Sequence, residues 1–175
     1  DVMIKPKKPP LFIIEDFFLP ADSKMLMHYW DQNKKLCTDE RKHHKKRTLH
    51  YESIPDTEVR SLLDYYFHKS CFFIGHYFNT KVTAWSPPRI CRWKKGEYMG
   101  MHRDRQEDIY DTVDFSGLGY LNDDYQGGEL LLKEYSNRKP KANSFIFFKS
   151  DEITHGVSKI KKGNRYTLPS WFKYL

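Results

Sequence analysis

The sequence predicts a single α+β domain that is mostly β in its C-terminal two-thirds. A chain of 175 residues is long enough to bury one good core without disulfide bonds. Before about residue 80, two segments place apolar residues at helical spacing. Over residues 81–175, short β-branched and aromatic runs alternate with turn residues at roughly 8–12-residue intervals. This pattern favours an antiparallel sandwich or barrel, against which the strand and helices of residues 1–80 would pack.

The predicted elements follow one another along the chain. "LFIIEDF" predicts a first strand. "LPADSKMLMHYWDQNK" predicts a helix with Asp22 or Ser23 as its N-cap. "IPDTEVRSLLDYYFHKSCFFIGHYF" predicts a second helix, opened by Pro55 with Asp56 or Thr57. The strands of the C-terminal part are predicted from "KVTAW", "RICRWKK", "FSGLGYLN", "GELLLKEY", "NSFIFFK", "HGVSKI" and "RYTLPSWF".

The charge balance is basic, with a net charge of +7. Much of the excess lies in the N-terminal "KPKKPP" and in "RKHHKKR", residues 41–47. Such a patch can attract phosphate or an acidic peptide. Because the run 41–47 has no apolar periodicity of its own, we favour a solvated loop over a binding element.

Cysteine usage and hydropathy bear on the cellular compartment. The three cysteines are odd in number and share no short C-x-x-C spacing, which argues against a disulfide framework and a zinc knuckle and suggests a reducing compartment. No apolar run approaches the roughly 18 residues of a membrane span. The start of the chain lacks the apolar segment of a signal peptide. We therefore expect a cytoplasmic protein with no membrane partner.

The segment "MGMHRDRQED" contains the first candidate site. A protein kinase loop would need an Asn at the position of Ile109, together with a Gly-rich loop and a D-F-G motif, and none of these is present. If the segment is a strand, His102 and Asp104 point to the same face and Arg103 points away. His155 is the one further histidine in the β-rich part of the chain. Two imidazoles and a carboxylate form the facial set that favours non-haem Fe(II), although an H-x-D pair is common by chance.

A second candidate lies in "HGVSKIKKGNRYTLPSWF". The letters "KKG" suit a three-residue hairpin loop with Gly163 in the left-handed region. If Ile160 then pairs with Asn164, Arg165 points to the same face as His155. The turn would therefore bring a guanidinium into the cavity that holds the proposed metal. A buried arginine favours a planar anionic partner, and a carboxylate accepting two hydrogen bonds fits best.

These segments resemble a known family. "WKKGEYMGMHRD", "GLGYLNDDYQGGELLL" and "FKSDEITHGVSKIKKGNRYTLPSWF" resemble the Fe(II)- and 2-oxoglutarate-dependent oxygenases of the prolyl 4-hydroxylase-like branch. Upstream, "FIIEDFFLPADSKMLM" is similar to the strand and helix that open that catalytic domain. The resemblance covers nearly the whole chain. It implies one catalytic domain with a double-stranded β-helix (jelly-roll) core and N-terminal supporting helices.

The resemblance also implies a role for each matching residue. His102, Asp104 and His155 would bind the iron. Arg165 would bind the distal carboxylate of 2-oxoglutarate. The remaining implied residues are a tyrosine that hydrogen-bonds the same carboxylate, a hydroxyl two positions after the arginine, and an aromatic side chain lining the cavity near the substrate: Tyr120, Thr167 and Trp171.

The chain departs from the family pattern at three positions. Relatives often have Tyr where this chain has Trp93, so this expected cosubstrate contact is altered. Another position that is frequently Tyr is Met99, and we assign a substrate contact to the adjacent Tyr98. Collagen-type enzymes bind the cosubstrate with Lys, so Arg165 is closer to the oxygen-sensing and many microbial members.

The activity implied is hydroxylation of a protein or peptide side chain, with a proline favoured. Succinate and carbon dioxide would be the coproducts, and the reaction would need Fe(II), 2-oxoglutarate and O2, with ascorbate as a candidate reductant. The polar segments 36–50 and 105–115 have the length of substrate gates.

Two alternatives remain at this stage. Oxidative demethylation of a nucleic-acid base agrees with the basic charge, but Trp171 replaces the second arginine typical of repair dioxygenases. A non-catalytic β-barrel binding or sensor module is disfavoured by the intact metal set and by Arg165.

Overall fold

The computed structural model describes residues 9–39, 46–105 and 112–175. It contains two α-helices, α1 (Pro20–Gln32) and α2 (Thr57–Phe78), and two short 3-10 turns, Lys34–Leu36 and Tyr51–Ser53. The strands are β1 (Leu11–Ile14), β2 (Thr38–Asp39), β3 (Arg47–Leu49), β4 (Val82–Ser86), β5 (Ile90–Trp93), β6 (Met99–His102), β7 (Phe115–Tyr120), β8 (Gln126–Gly127), β9 (Leu130–Leu132), β10 (Ser144–Lys149), β11 (His155–Val157), β12 (Ile160–Lys162) and β13 (Arg165–Tyr174). No helix in these ranges is long and apolar enough to span a membrane.

The second helix begins as the sequence predicts. The Asp56 carboxylate accepts hydrogen bonds from the backbone N–H groups of Glu58 and Val59, at 2.9 and 3.1 Å. These bonds satisfy two of the donors that a helix N-terminus leaves unpaired. Asn79 ends the helix in the left-handed conformation, a common way to close a final turn.

The first helix begins differently from the prediction. Its N-cap is Leu19, which makes no side-chain cap bond, and Pro20 occupies the first turn, where its missing N–H costs nothing. Asp22 instead accepts a hydrogen bond from the Tyr66 hydroxyl of α2. Ser23 is buried, at 1% exposure. The predicted caps are therefore wrong, because these two side chains face the rest of the fold rather than the helix end.

The strands form antiparallel sheets of the expected jelly-roll type. The major sheet has eight strands in the order β1-β10-β7-β13-β5-β3-β2, and β4 also pairs with β13. The minor sheet has the order β6-β11-β9, and β8 pairs with β12. The predicted mostly-β α+β class and the double-stranded β-helix core are confirmed.

The long strand β13 separates the core from the cavity. Its residues Tyr166, Leu168 and Phe172 belong to the cluster that packs against the helices, where the Phe172 ring stacks on Phe67 at 5.0 Å. Alternate residues of the same strand line a cavity on the opposite face of the sheet: Arg165, Thr167, Pro169 and Trp171. The alternation of a strand therefore gives β13 one structural face and one face toward the cavity.

The predicted hairpin before β13 is partly wrong. Gly163 adopts the left-handed conformation as expected, with φ of 78°. However, Ile160 pairs with Gly127 of β8 rather than with Asn164. The Cα partner of Arg165 is Trp93 of β5. Arg165 reaches the cavity because of the register of β13 in the major sheet. The predicted direction of its side chain is therefore correct, although the predicted pairing of Ile160 with Asn164 is wrong.

Candidate active site

A cavity of about 310 Å³ lies between the two sheets. It is lined by residues of both sheets, including Trp93, Met99, Leu130 and Phe148. The candidate residues lie at two levels within it. A group of histidine and carboxylate side chains lies toward the open end, and a buried guanidinium lies at the closed end.

The structure brings His102, Asp104 and His155 together. His102 is the last residue of β6, His155 is the first of β11, and the two are partners across the minor sheet with ring centroids 4.4 Å apart. Asp104 follows two residues after His102, beyond the end of β6. One ligand atom from each side chain lies within 4.8 Å of the other two. The expectation that Asp104 lies on the strand is therefore wrong, although the expected convergence is present.

Hydrogen bonds orient both imidazoles toward Asp104. The Nδ1 atom of His102 is 3.0 Å from the Gly100 carbonyl oxygen, and that of His155 is 3.3 Å from the Ile153 carbonyl oxygen. A carbonyl oxygen only accepts, so each Nδ1 is the protonated nitrogen and each neutral ring has its lone pair on Nε2. Those two Nε2 atoms lie 3.1 and 3.6 Å from Asp104 Oδ1.

Two lone pairs and a carboxylate oxygen at such short separations fit a divalent cation. Nitrogen and oxygen ligands of this kind suit Fe(II) in the two-histidine, one-carboxylate set. Backbone carbonyls that fix the far nitrogen of each imidazole are the usual supporting partners of metal-binding histidines. The residues present therefore fit the metal that the sequence implies.

Burial and charge shift the pKa values of these groups in different directions. Burial lowers the pKa of His155. Burial also lowers the pKa of His102, but the Asp104 carboxylate and the Gly100 carbonyl outweigh it, so the net pKa is raised. For Asp104, burial raises the pKa, but the two imidazoles outweigh it and hold the carboxyl well below its usual range. Asp104 is therefore an anion throughout the physiological pH range.

Trp171 orients the carboxylate from the other side. Its indole Nε1–H donates to Asp104 Oδ2 at 3.1 Å. Since the imidazoles face Oδ1, the two carboxylate oxygens have different partners. The sequence assigned Trp171 to the substrate, and the structure places it on the cavity wall in contact with a candidate metal ligand.

Arg165 forms the closed end of the cavity. It is fully buried, and its Nη2 donates to the Tyr120 hydroxyl at 3.2 Å. The guanidinium lies against the Trp93 and Tyr120 rings, 5.3 and 5.1 Å from their centres. Within the described residues, its Nε and Nη1 atoms have no hydrogen-bond partner. A buried cation with two unmatched donors fits an anion that accepts two hydrogen bonds, such as the distal carboxylate of 2-oxoglutarate.

Trp93 and Thr167 belong to the same closed end. The Trp93 indole N–H donates to the Thr167 hydroxyl at 3.3 Å, and both side chains are almost fully buried. Both also line the cavity next to Arg165. The structure therefore brings together all four residues that the sequence assigned to the cosubstrate: Arg165, Tyr120, Thr167 and Trp93.

Tyr98 is not brought to the cavity. Its side chain is 45% exposed, and the ammonium group of Lys159 lies 6.0 Å from its ring centre. Met99, the first residue of β6, lines the cavity instead. Because neighbouring residues of an extended chain point in opposite directions, the orientation of Met99 turns Tyr98 outward. The residue that the sequence assigned to the substrate therefore lies outside the cavity.

Sequence reasoning missed several residues at the cavity mouth. Lys46, Trp85, Arg89 and Arg103 all line it. Arg103 was expected to point away, but β6 ends at His102, so strand alternation does not govern the next residue. Lys46 belongs to the basic run 41–47 that was assigned to a solvated loop. Nothing in the sequence singled out Arg89 or Trp85.

The two predicted gate segments are described only in part. Residues 40–45 and 106–111 lie outside the described residues. At the edge of the second gap, the Thr112 hydroxyl accepts a hydrogen bond from the Trp85 indole N–H at 2.8 Å. This bond connects the described end of segment 105–115 to the cavity wall.

The glycine pair of "QGGEL" has an architectural role. Gly127 and Gly128 have positive φ values of 72° and 63°. A Cβ on Gly128 would lie 2.4 Å from Ile160 Cδ1 and 3.0 Å from Arg165 Cδ. Glycine at this position therefore leaves the space that the Arg165 side chain occupies.

Comparison with known structures agrees with the fold. A Pseudomonas putida prolyl-4-hydroxylase has a TM-score of 0.76 and 18% identity, over 95% of this chain and 93% of that one. A viral collagen prolyl hydroxylase of Paramecium Bursaria Chlorella virus-1, solved with 2OG, has a TM-score of 0.75 and 18% identity, over 95% and 97% of the two chains. A Trichoplax adhaerens prolyl hydroxylase, solved with a hypoxia inducible factor peptide fragment, has a TM-score of 0.73 and 17% identity, over 94% and 84%.

Curated relatives match part of this chain. Human prolyl 3-hydroxylase 2 is 36% identical over 75 residues, which is 39% of this chain and 11% of the relative. Human prolyl 3-hydroxylase 3 is 36% identical over 74 residues, 38% of this chain and 10% of the relative. This chain therefore matches about a tenth of the length of these relatives.

The family model described as the 2OG-Fe(II) oxygenase superfamily matches residues 88–173. This range contains the three converging metal-ligand side chains, the buried arginine and every cosubstrate residue assigned from the sequence. The fold, the site and the motifs agree with that match. Residues 88–173 therefore belong to the 2OG-Fe(II) oxygenase superfamily, whose members use Fe(II), 2-oxoglutarate and O2.

Proposed function

We propose that this protein hydroxylates a prolyl residue of a protein or peptide. The observation that supports this most strongly is that one cavity contains both the metal-ligand set and a buried arginine with two unmatched donors. The relatives and the similar structures are themselves named prolyl hydroxylases.

His102, Asp104 and His155 would hold the iron through two Nε2 atoms and a carboxylate oxygen. Three ligands of this kind leave coordination positions open for other molecules. Bound Fe(II) and 2-oxoglutarate supply the oxidising chemistry, in which O2 and 2-oxoglutarate give succinate, carbon dioxide and one hydroxylated C–H group. The protein supplies the binding and the orientation of the reactants.

Arg165 positions the cosubstrate. A guanidinium at the closed end of the cavity would accept the distal carboxylate, so the keto-acid end of 2-oxoglutarate would point toward the histidines. Binding by the remote end restricts the reactive end to one orientation, which lowers the entropic part of the barrier. The burial of Arg165 excludes water and strengthens its attraction for the carboxylate.

Trp171 and the mouth residues would position the substrate. Trp171 lies between the candidate metal ligand Asp104 and the guanidinium of Arg89, which is 4.7 Å from the centre of its ring system. An aromatic face at this point is suited to contact the apolar ring of a proline. The hydroxylated carbon would then lie close to the metal-ligand set.

A peptide panel tests the proposal. Proline-containing peptides, each with a matched Pro→Ala peptide, would be incubated with the protein, Fe(II), 2-oxoglutarate and O2. We expect one added oxygen on proline by mass spectrometry and an equal amount of succinate. Chromatography against 3- and 4-hydroxyproline standards then identifies the position, since the curated relatives are named 3-hydroxylases and a similar structure is named a 4-hydroxylase.

The same experiment can reject the proposal. Asp104→Ala serves as the inactive control, because it removes a candidate iron ligand. Methylated oligonucleotides serve as the competing substrate class. Succinate formation that responds to the oligonucleotides and not to any proline peptide would contradict prolyl hydroxylation.

A further inference from the structure

Tyr125 lies beside the proposed cosubstrate site, and its hydroxyl group is buried without a well-aligned hydrogen bond in the described part of the chain. Its side chain is 2% exposed, and its hydroxyl lies close to the Arg165 guanidinium without a well-aligned hydrogen bond among the described residues. A phenylalanine would fill the same space without this unmatched group. Buried hydroxyl groups are normally paired, so an unpaired one calls for a specific explanation.

The position of Tyr125 connects it to Arg165. A Cβ on Gly128 would lie 3.1 Å from Tyr125 Cε2 and 3.0 Å from Arg165 Cδ, so the two side chains are neighbours across this glycine. Cε2 is bonded to the ring carbon that bears the hydroxyl. At the other end of the residue, the Lys139 ammonium donates to the Tyr125 carbonyl oxygen at 2.5 Å and lies 4.9 Å from the ring centre, which fixes the tyrosine in place.

Three unmatched polar atoms therefore lie in one buried region: Arg165 Nε, Arg165 Nη1 and Tyr125 Oη. The neighbouring Tyr120 differs, because its hydroxyl already accepts from Arg165 Nη2. All three unmatched groups can donate a hydrogen bond. A single carboxylate, which only accepts and has about four lone-pair sites, can satisfy all of them.

The protonation state of Tyr125 agrees with a donor role. Burial raises its pKa to about 12, while the positive charge of Arg165 and its close polar contact with the hydroxyl act in the opposite direction. The hydroxyl therefore keeps its proton at neutral pH and would not repel a carboxylate.

We propose that the Tyr125 hydroxyl donates a hydrogen bond to the distal carboxylate of 2-oxoglutarate and so acts as a positioning residue together with Arg165. This inference rests on the proposed function, since it assumes that 2-oxoglutarate binds at Arg165. It assigns a ligand contact to a residue outside the set that the sequence assigned to the cosubstrate.

A ligand pair and a conservative substitution test the contact. The ligands are 2-oxoglutarate and 2-oxopentanoate, which has a methyl group in place of the distal carboxylate. The variant is Tyr125→Phe, which removes the hydroxyl alone, and the matched control is Tyr135→Phe at a surface tyrosine that is 40% exposed. Binding to the Fe(II)-loaded protein would be measured by calorimetry without oxygen, so the readout does not depend on turnover.

We expect Tyr125→Phe to weaken 2-oxoglutarate binding about tenfold, the usual effect of one hydrogen bond to a charged group. Affinity for 2-oxopentanoate and for Fe(II) should not change. The thermal midpoint of the ligand-free variant should stay equal or rise, because an unmatched buried hydroxyl has been removed. Tyr135→Phe should leave all four quantities unchanged.

Two outcomes would overturn the inference and are distinguishable. If the wild-type protein shows no preference for 2-oxoglutarate over 2-oxopentanoate, the proposed cosubstrate site itself fails. If the wild type prefers 2-oxoglutarate but Tyr125→Phe keeps that preference, or weakens both ligands equally with a lower thermal midpoint, Tyr125 has only a structural role.

Discussion

The closed end and the mouth of the cavity are built in different ways. At the closed end, Arg165, Tyr120 and Thr167 are at most 1% exposed and belong to adjacent strands of one sheet. At the mouth, Lys46, Arg89 and Arg103 are half-buried or exposed.

Each of these three charged mouth residues lies next to a strand rather than within it. Lys46 immediately precedes β3, Arg89 immediately precedes β5, and Arg103 immediately follows β6. A rigid closed end suits a ligand that is the same in every turnover. A mouth formed where strands pass into loops suits a substrate that differs between relatives. Substitutions at the closed end should therefore affect the cosubstrate, and substitutions at the mouth should affect the substrate. Substitutions in the metal-ligand set between the two regions should affect both.

The largest effect is expected from the metal-ligand set. Asp104→Ala removes the carboxylate that both imidazoles face, so Fe(II) affinity should fall by more than the roughly 10–100-fold loss typical of supporting residues. Equilibrium dialysis of Fe(II) without oxygen measures this directly. Asp151→Ala, at an exposed aspartate near His155, is the matched control. Equal Fe(II) affinity in the two variants would remove Asp104 from the metal site.

An intermediate effect is expected from Trp171, which connects the mouth to the metal-ligand set. Trp171→Phe keeps an aromatic ring next to Arg89 but loses the hydrogen bond to Asp104 Oδ2. Fe(II) affinity should fall about tenfold, the lower limit for partners that orient a ligand. Trp85→Phe, at another tryptophan of the cavity wall, should leave Fe(II) affinity unchanged. A Trp171→Phe protein with wild-type Fe(II) affinity would show that the hydrogen bond does not orient the carboxylate.

The smallest effects are expected at the mouth. Lys46→Ala and Arg103→Ala remove partly exposed charges, whose individual contributions are about 0.2–1 kcal/mol. They should change the apparent KM of the peptide by a few-fold and leave 2-oxoglutarate affinity unchanged. Steady-state kinetics with each substrate varied in turn separates the two. A larger effect on 2-oxoglutarate than on the peptide would contradict the division between mouth and closed end.

Local sequence signals predicted the closed end and the metal-ligand set better than the mouth. The left-handed conformation of Gly163 depends on residues close together in the chain, and this expectation is confirmed. The residue paired with Arg165 across the sheet is Trp93, 72 positions earlier, and no local sequence pattern predicts such a pairing. The predicted hairpin failed for that reason, although its consequence for Arg165 was correct.

The remaining errors concern the points where a strand or a helix ends. Strand alternation predicted the inward direction of His102 but not that β6 stops there, which changes the surroundings of Arg103 and Asp104. The caps of α1 failed similarly, because Tyr66 of α2 binds Asp22 across the fold. Tertiary contacts of this kind override local preference and cannot be found from one segment alone.

The most direct test of the central claim is 2-oxoglutarate binding with and without metal. Calorimetry without oxygen would compare the wild type, Asp104→Ala and Arg165→Lys, where the lysine keeps a positive charge but loses the planar pair of donors. We predict one tight site in the Fe(II)-loaded wild type, much weaker binding without metal or in Asp104→Ala, and a clear loss in Arg165→Lys. Equal affinity under all of these conditions would contradict a cavity that holds the cosubstrate between Arg165 and the metal.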